Sequence, residues 1–332
     1  MYDLIIIGGG PAGAAAGVYS ARKKLKTLII AESFGGQSIV SDSIENWIGV
    51  KKITGLEFAK MLEAHIRAQE GIEIKTPEKV ISVEFLNGNN VGNVGNRASN
   101  TNGYEVATDK GNFYQSKSLI VASGGRRRHL NIFGEDKFEG KGVSYCSTCD
   151  APVFRNKLVA VIGGGDAGLE TTIDLMPYAS KIYLISNKEL LTGDPLNQEE
   201  IRKSDKVSVI MNADTQEILG DKFVSGLKYL DKNDNQVKEL KVEGIFVEIG
   251  SVPNSEFIKD LADTNQKGEI IVDHKTGATS RPGIFAAGDV TDEIYKQNNI
   301  SAGDAVVAAL SAYNYLLNIK KQSPAYENKN SN

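Results

Sequence analysis

The stretch "LIIIGGGPAGAAAGVYSARKKLKTLIIAE", residues 4 to 32, decides the fold. It passes from an apolar run through a glycine turn into an alanine-rich segment, then into a second apolar run that ends at Glu32. Strand, helix and parallel strand need that order, so the stretch reads as a βαβ unit. Gly8, Gly10 and Gly13 satisfy G-x-G-x-x-G, with Pro11 and Ala12 inside the motif. The first glycine makes the tight turn, the second lets backbone approach a pyrophosphate, and the third packs helix on strand. The unpaired N–H groups at the helix start then face phosphate. Glu32, about twenty residues on, is placed to accept from a ribose hydroxyl. A glycine-rich turn without a ligand is the alternative. Strand, turn, helix and acid together favour a dinucleotide site.

The pattern returns at 158 to 185 as "LVAVIGGGDAGLETTIDLMPYASKIYLI", with Gly163, Gly165 and Gly168 in register and Asp166 and Ala167 within the motif. The chain therefore holds two dinucleotide sites. Where the next strand of this copy ends, "ISNKELL" offers Ser186, Asn187 and Lys188 in place of a carboxylate. Between the copies, "KVISVEFL" (79 to 86) and "YEVATDKGNFYQSKSLIVASG" (104 to 124) alternate like a β-meander. The segment 87 to 103 has too few apolar side chains to pack and reads as a flexible hairpin tip. A second hairpin turns at "DKNDN" (231 to 235), and short strands and a long apolar-faced helix follow from 268, before a frayed tail.

A length of 332 residues suits about two domains. Hydrophobic residues at 41% and charged residues at 24% are those of a soluble globular protein. No uninterrupted apolar run approaches the ~18 residues of a membrane span. A net charge of -4 gives no basic footprint for nucleic acid. The cluster Arg126-Arg127-Arg128 reads as a solvated turn or a contact to an acidic partner or phosphate. The opening lacks a secretory signal, and two cysteines make a poor disulfide framework, so a cytoplasmic protein is expected.

Those cysteines lie in "SYCSTCD" (144 to 150), nine residues before the strand of the second glycine turn. Zinc needs four ligands, and His65, His129 and His274 show no ligand spacing relative to Cys146 and Cys149; no metal is expected. A disulfide across C-x-x-C opens and closes without refolding the chain, which makes a redox couple. Asp150 reads either as a turn or N-cap carboxylate or as the acid that holds a proton for the nascent thiolate. Nicotinamide delivers a hydride, whereas disulfides react by thiolate exchange, and flavin couples the two. Two dinucleotide sites and one C-x-x-C thus point to FAD in the first, NADH or NADPH in the second, and the dithiol as outlet.

At "GGGPAG", "GGQ" (35 to 37), "IENW" (44 to 47), "GVSYCSTCD", "VAVIGGGDAG" and "GIFAAGDVTDEIYKQ" the sequence resembles the low-molecular-weight thioredoxin reductases, and closer still the flavoprotein component of alkyl hydroperoxide reductase. The resemblance implies an α/β protein of two Rossmann-like three-layer domains. An FAD domain in two segments, 1–122 and 250–322, would hold an inserted nicotinamide domain, 123–249, that carries the C-x-x-C, and 323–332 would be a flexible tail. It places FAD contacts on Gly8, Gly10, Gly13, Glu32, Gly36, Gln37, Asn46, Gly288, Asp289 and Gln297, with Asp289 on the ribityl chain and Gln297 beside the flavin pyrimidine. Cys146, Cys149 and Asp150 match the family's redox pair and its acid. The family is generally homodimeric.

Three departures from the family are legible. The peroxide-reductase relatives carry an N-terminal thioredoxin-like domain, whereas this chain opens at the FAD strand, so its dithiol is expected to reduce a separate protein. Ala151 replaces the glycine usual after the acid. NADPH-specific members carry a basic fork where Ser186, Asn187 and Lys188 stand, and NADH-preferring relatives place Glu at Ser186; neither device is present, and Lys188 lacks bidentate guanidinium geometry. The expected function is an NAD(P)H- and FAD-dependent disulfide reductase acting on thioredoxin or a similar small redox protein, its nicotinamide domain rotating about hinges near 122–126 and 248–252. The alternatives are the same fold with an idle nicotinamide site, as a ferredoxin-dependent reductase or small-dithiol oxidase, and a non-catalytic flavin redox sensor.

Overall fold

A computed structural model describes residues 1–41, 44–86 and 102–322. The expected tip at 87–103 lies mostly outside the described residues, as does the tail 323–332. The chain divides into two units, one of 1–39, 47–126 and the residues from 252 onward, the other of 40–46 and 127–251.

The first unit opens with β1 (Tyr2–Ile7), α1 (Pro11–Arg22), β2 (Thr27–Ile30), α2 (Gly55–Arg67) and β3 (Ile72–Lys75). The three strands are mutually parallel, joined by crossovers that carry α1 and α2. The meander follows as β4 (Val80–Leu86), β5 (Gly103–Thr108) and β6 (Phe113–Val121), antiparallel throughout. β6 then pairs parallel with β1, giving the order β3-β2-β1-β6-β5-β4. Both faces of the β1 ladder are buried. Ile5, Ile7, Leu28 and Ile30 pack with Val83, Tyr104 and Val106 of the meander, while Gly17 of α1 sits against Ile29, whose Cδ1 would lie 2.8 Å from an added Cβ. Each such isoleucine or leucine contributes about 1.5–3 kcal/mol.

β7 (Gly125–Arg127) leads into the second unit. There, α3 (Glu135–Phe138), β8 (Val143–Ser144) and α4 (Ser147–Asp150) precede β9 (Leu158–Ile162), α5 (Asp166–Leu175), β10 (Lys181–Ile185), α6 (Pro195–Lys203) and β11 (Val207–Ile210). A hairpin sheet of β12 (Ala213–Gly220), β13 (Val224–Asp231) and β14 (Gln236–Leu240) intervenes before β15 (Gly244–Val247). The parallel sheet has the order β11-β10-β9-β15-β8. Alternation along β9 sets its two faces. Val159 and Val161 pack on Leu169, Leu175 and Ile201 of α5 and α6; Ala160 and Ile162 pack on Ile218, Leu227 and Tyr229 of the hairpin sheet. The layers are helix, parallel sheet and antiparallel sheet.

β16 (Ser251–Pro253) pairs with β7, and the chain completes the first unit with β17 (Ile284–Ala286) and α7 (Asn298–Gln322). β17 lies parallel to the end of β6, at Leu119 to Val121, beyond the residues that β5 occupies. Among the described residues α7 alone has the length and apolarity of a membrane span. Its buried Ala305, Ala308, Ala309, Ala312 and Leu316 instead form a face of the first unit, packed along α1.

Candidate functional site

Both glycine turns end strands and open helices. In each, the first and third glycines are demanded by the protein's own packing. Gly8 has φ +124 and Gly163 φ +137, and a Cβ there would overlap the carbonyl oxygens of Ala122 and Glu248. A Cβ on Gly13 or Gly168 would overlap the carbonyl of Gly8 or Gly163. At the middle glycines a Cβ would meet only ordinary van der Waals contacts. A Cβ on Gly10 would have as its nearest neighbour Gly36 Cα at 3.7 Å, and on Gly165, Thr192 Oγ1 at 3.8 Å. The fold itself does not need these two glycines, so these positions fit a ligand laid on bare backbone. Neither Gly10 nor Gly165 caps its helix with a side chain, whereas Thr54 closes a capping box on α2 and Asp194 caps α6. The N–H groups that open α1 and α5 therefore receive no side-chain cap from these two positions.

In the first unit Gly36 faces Gly10 across that gap. Gln37 Nε2 donates to Asp289 Oδ2 at 3.3 Å, and Ser301 Oγ donates to Asp289 Oδ1 at 3.1 Å. Gly288 takes φ +76, with its missing Cβ over Ser301 and Ala12. The Gln297 carbonyl accepts from Ser301 N at 2.9 Å as α7 starts. The structure thus gathers Gly10, Ala12, Gly36, Gln37, Gly288, Asp289 and Gln297. Pro11 is buried at the first position of α1. Glu32, just past β2, is exposed and pairs with Lys79 at 3.4 Å. Exposed Asn46 belongs to the 40–46 segment of the other unit.

In the second unit Asp166 and Ala167 are exposed in the first turn of α5, and Asp166 Oδ1 accepts from Asp194 N at 2.7 Å. Ser186 is buried beneath Gly164, its hydroxyl accepting from Lys188 N at 3.2 Å, while the Lys188 side chain is exposed. Arg126 is occupied within the chain, by Asn254 Oδ1 and Glu256 Oε1, each at 2.7 Å.

Cys146 and Cys149 form a disulfide with Cα atoms 5.4 Å apart, both half-buried, Cys146 standing at the N-cap of α4. Asp150 makes no side-chain cap bond to the 3-10 turn that follows. It accepts from Ser144 Oγ at 2.6 Å, and the same Ser144 oxygen accepts from Cys146 N at 3.2 Å. One hydroxyl thus ties acid to disulfide. Ser147, between the cysteines, donates to Asp174 of α5 at 2.7 Å. Ser144→Ala is expected to slow disulfide exchange about tenfold at a stability cost of about 1 kcal/mol. Rapid-mixing thiol exchange checks it; an unchanged rate would refute the tether.

Sequence reasoning missed three further features. Ser144 is one. The second is a cluster beside Cys146, where Tyr145 Oη donates to buried Glu135 Oε1 at 2.9 Å and lies 3.0 Å from His129 Nδ1. Glu135 also accepts from Leu130 N and Asn131 N, at 2.9 and 2.7 Å. Burial, with the hydrogen bond and charge of Glu135, pushes the Tyr145 hydroxyl well above its usual range. The third is Glu248, the residue after β15, 8% exposed and accepting from Thr171 Oγ1 at 3.2 Å. Burial pushes its carboxyl up to about 7, against the pull of Arg127. A carboxylate inside the apolar run "GIFVEIG" was the available signal.

With a folded pKa above the ordinary 4.5, Glu248 supports the second unit most below about pH 4.5, and that support is lost as pH rises to about 7. The shift corresponds to about 3 kcal/mol at most. Glu248→Gln is expected to flatten this slope, and denaturant unfolding from acid to neutral pH measures it. A wild-type profile that runs parallel to that of Glu248→Gln through that window would contradict it.

The family model for pyridine nucleotide-disulphide oxidoreductases matches residues 2–308. The chain belongs to that family. It is 40% identical over 316 residues to a Bacillus subtilis NADH dehydrogenase, covering 95% of this chain and 59% of that one. With the matching component of the Pseudomonas aeruginosa alkyl hydroperoxide reductase the identity is 40% over 317 residues, 95% of this chain and 58% of the relative. The chain thus spans somewhat under three-fifths of the curated relatives it matches. Among solved structures, thioredoxin reductase from Streptococcus pyogenes superposes with a TM-score of 0.86 at 32% identity, covering 96% of this chain and 99% of that one. The fold is therefore thioredoxin reductase-like with Rossmann-type sheets, and homologues in this family use FAD and NAD(P)H.

Proposed function

We propose that the chain passes electrons from a nicotinamide dinucleotide on the Gly163–Gly168 turn, by way of FAD on the Gly8–Gly13 turn, to the Cys146–Cys149 disulfide, and from the dithiol to thioredoxin or a similar small redox protein. The observation that carries this reading is the disulfide itself, formed in the same unit as the second glycine turn and bound through Ser144 to Asp150. When bound, the flavin supplies the step between hydride donor and disulfide.

The chain's residues supply the rest. The N–H groups of α1 and α5 hold the two pyrophosphates, while Asp289, fixed by Gln37 and Ser301, presents a carboxylate to the ribityl chain. Asp150 holds a proton beside the sulfur pair, and Ser144 keeps it there. In the outward step one thiolate attacks the partner's disulfide, and the second displaces it from the mixed disulfide. Two electrons and two protons leave, and Cys146–Cys149 reforms. Because one unit carries both the nicotinamide turn and the dithiol, and each must reach the flavin, that unit rotates about the linkers near 122–126 and 248–252. We place the protein in the cytoplasm, as a homodimer.

One observation favours a second reading. Buried Ser186 offers the adenosine end neither a carboxylate nor a basic fork, as in an enzyme drawing electrons from another donor. Anaerobic titration with NADH and with NADPH, followed by addition of thioredoxin-like proteins, separates the two. Rapid bleaching of the flavin and its recovery on adding the protein disulfide are expected. No bleaching by either nucleotide would overturn the first reading.

A further inference from the structure

We propose that Glu248 receives the carboxamide of a nicotinamide ring seated where β9 and β15 end. This rests on the dinucleotide reading of the Gly163–Gly168 turn and adds what its far end meets. In the order β11-β10-β9-β15-β8 the chain reverses direction at β9, with β10 on one side and β15 on the other. Ligands of such sheets lie outside the carboxyl ends of the strands at that reversal. The turn after β9 takes the pyrophosphate, and the end of β10, with Ser186 and Lys188, takes the adenosine. The other half of the dinucleotide then falls over the end of β15. The residue there is Glu248.

Its backbone is part of the turn. Glu248 N donates to Ile162 O at 2.8 Å, and its carbonyl fills the space that a Cβ on Gly163 would need. Its side chain is buried, and among the described residues its hydrogen bond is the one from Thr171 to Oε1. The second oxygen is left for a ligand. A neutral carboxyl sets an O–H donor beside a carbonyl acceptor, and a primary carboxamide presents the complementary N–H and carbonyl. The charged groups around Glu248 are Arg127 of β7, which favours the ionised form, and Glu170 and Asp174 of α5, which oppose it; burial, reinforced by those two carboxylates, outweighs Arg127 and the Thr171 hydrogen bond and holds the neutral form through acid pH. An ionised Glu248 has no proton to donate to the carboxamide oxygen.

The test uses the FAD-loaded protein and ligands that cannot reduce it. Calorimetric affinities are measured for the tetrahydronicotinamide analogues of NADH and NADPH, which keep the carboxamide on a neutral ring, and for ADP-ribose and its 2′-phosphate, which lack the ring. Glu248→Ala is expected to weaken the analogues about tenfold and leave the ribose fragments unchanged, while Glu248→Gln, which keeps a donor and an acceptor, stays within about twofold of wild type. The wild-type ratio of analogue to fragment affinity should fall several-fold from about pH 6 to about pH 8 and stay flat in Glu248→Gln. Equal weakening of analogue and fragment, or none, overturns the assignment of Glu248 while leaving the dinucleotide site standing. If neither analogue nor fragment binds wild-type protein, the site and the assignment fall together. Should Glu248→Ala not fold, a wild-type ratio that does not change with pH overturns the assignment.

Discussion

Replacing Cys149 with serine is expected to lower reduction of protein disulfides by about three orders of magnitude or more, while NAD(P)H still bleaches the flavin at an undiminished rate. Thiol–disulfide exchange needs a thiolate to attack and a second to resolve, and a serine hydroxyl at the position beside Asp150 does neither. The fold is expected to survive. Cys149 is half-buried in a four-residue helix, and the ring that the disulfide closes is short enough that its loss costs about 2 kcal/mol in the chain-entropy account. Steady-state reduction of a thioredoxin-like protein and stopped-flow flavin absorbance, on the same preparation, read the two halves separately. Retained protein-disulfide turnover would show that electrons leave by another route. A simultaneous loss of flavin bleaching would place the defect before the disulfide.

The second large effect separates glycines that the fold needs from those that the ligand needs. Gly168→Ala drives a Cβ into the carbonyl of Gly163. Backbone meets backbone there, so α5 must leave its seat on β9, and a loss of about 3 kcal/mol or more is expected. Gly165→Ala meets nothing closer than Thr192 Oγ1 at 3.8 Å, and its φ of -95 suits any residue. Its stability is expected to stay within about 0.5 kcal/mol of wild type. Yet in the proposed dinucleotide site the added methyl would stand where pyrophosphate approaches, so dinucleotide binding is expected to fall at least about tenfold. Thermal unfolding and equilibrium binding of the two variants check the contrast. If Gly165→Ala binds as wild type does, phosphate does not lie on this turn.

The two βαβ units were legible because their signals are local. Gly8, Gly10 and Gly13, and again Gly163, Gly165 and Gly168, punctuate apolar runs at helix-and-strand spacing, and the alternation around 79–86 and 104–121 announces antiparallel strands. What stayed hidden depends on strand order. That Glu248 adjoins Gly163 follows only once β15 is known to lie beside β9, and the two strands are separated by the whole of α5 to β14. Ser144 shows the same limit at shorter range, because its bridge from Cys146 to Asp150 exists only through the bend that sets α4 after β8. Ser186 was visible as a departure, but its burial under Gly164 was not, since the fit of a hydroxyl beneath a glycine leaves no trace in periodicity.

β17 takes its place against β6 only after the intervening unit has been made. During translation, therefore, the stretch 127–251 leaves the ribosome as one contiguous piece and can close on itself while the first unit still shows an open sheet margin along Leu119 to Val121. That margin is a strand template until Ile284–Ala286 arrives. A nascent chain halted between the two events would present that edge, the kind of surface through which strands of separate chains pair.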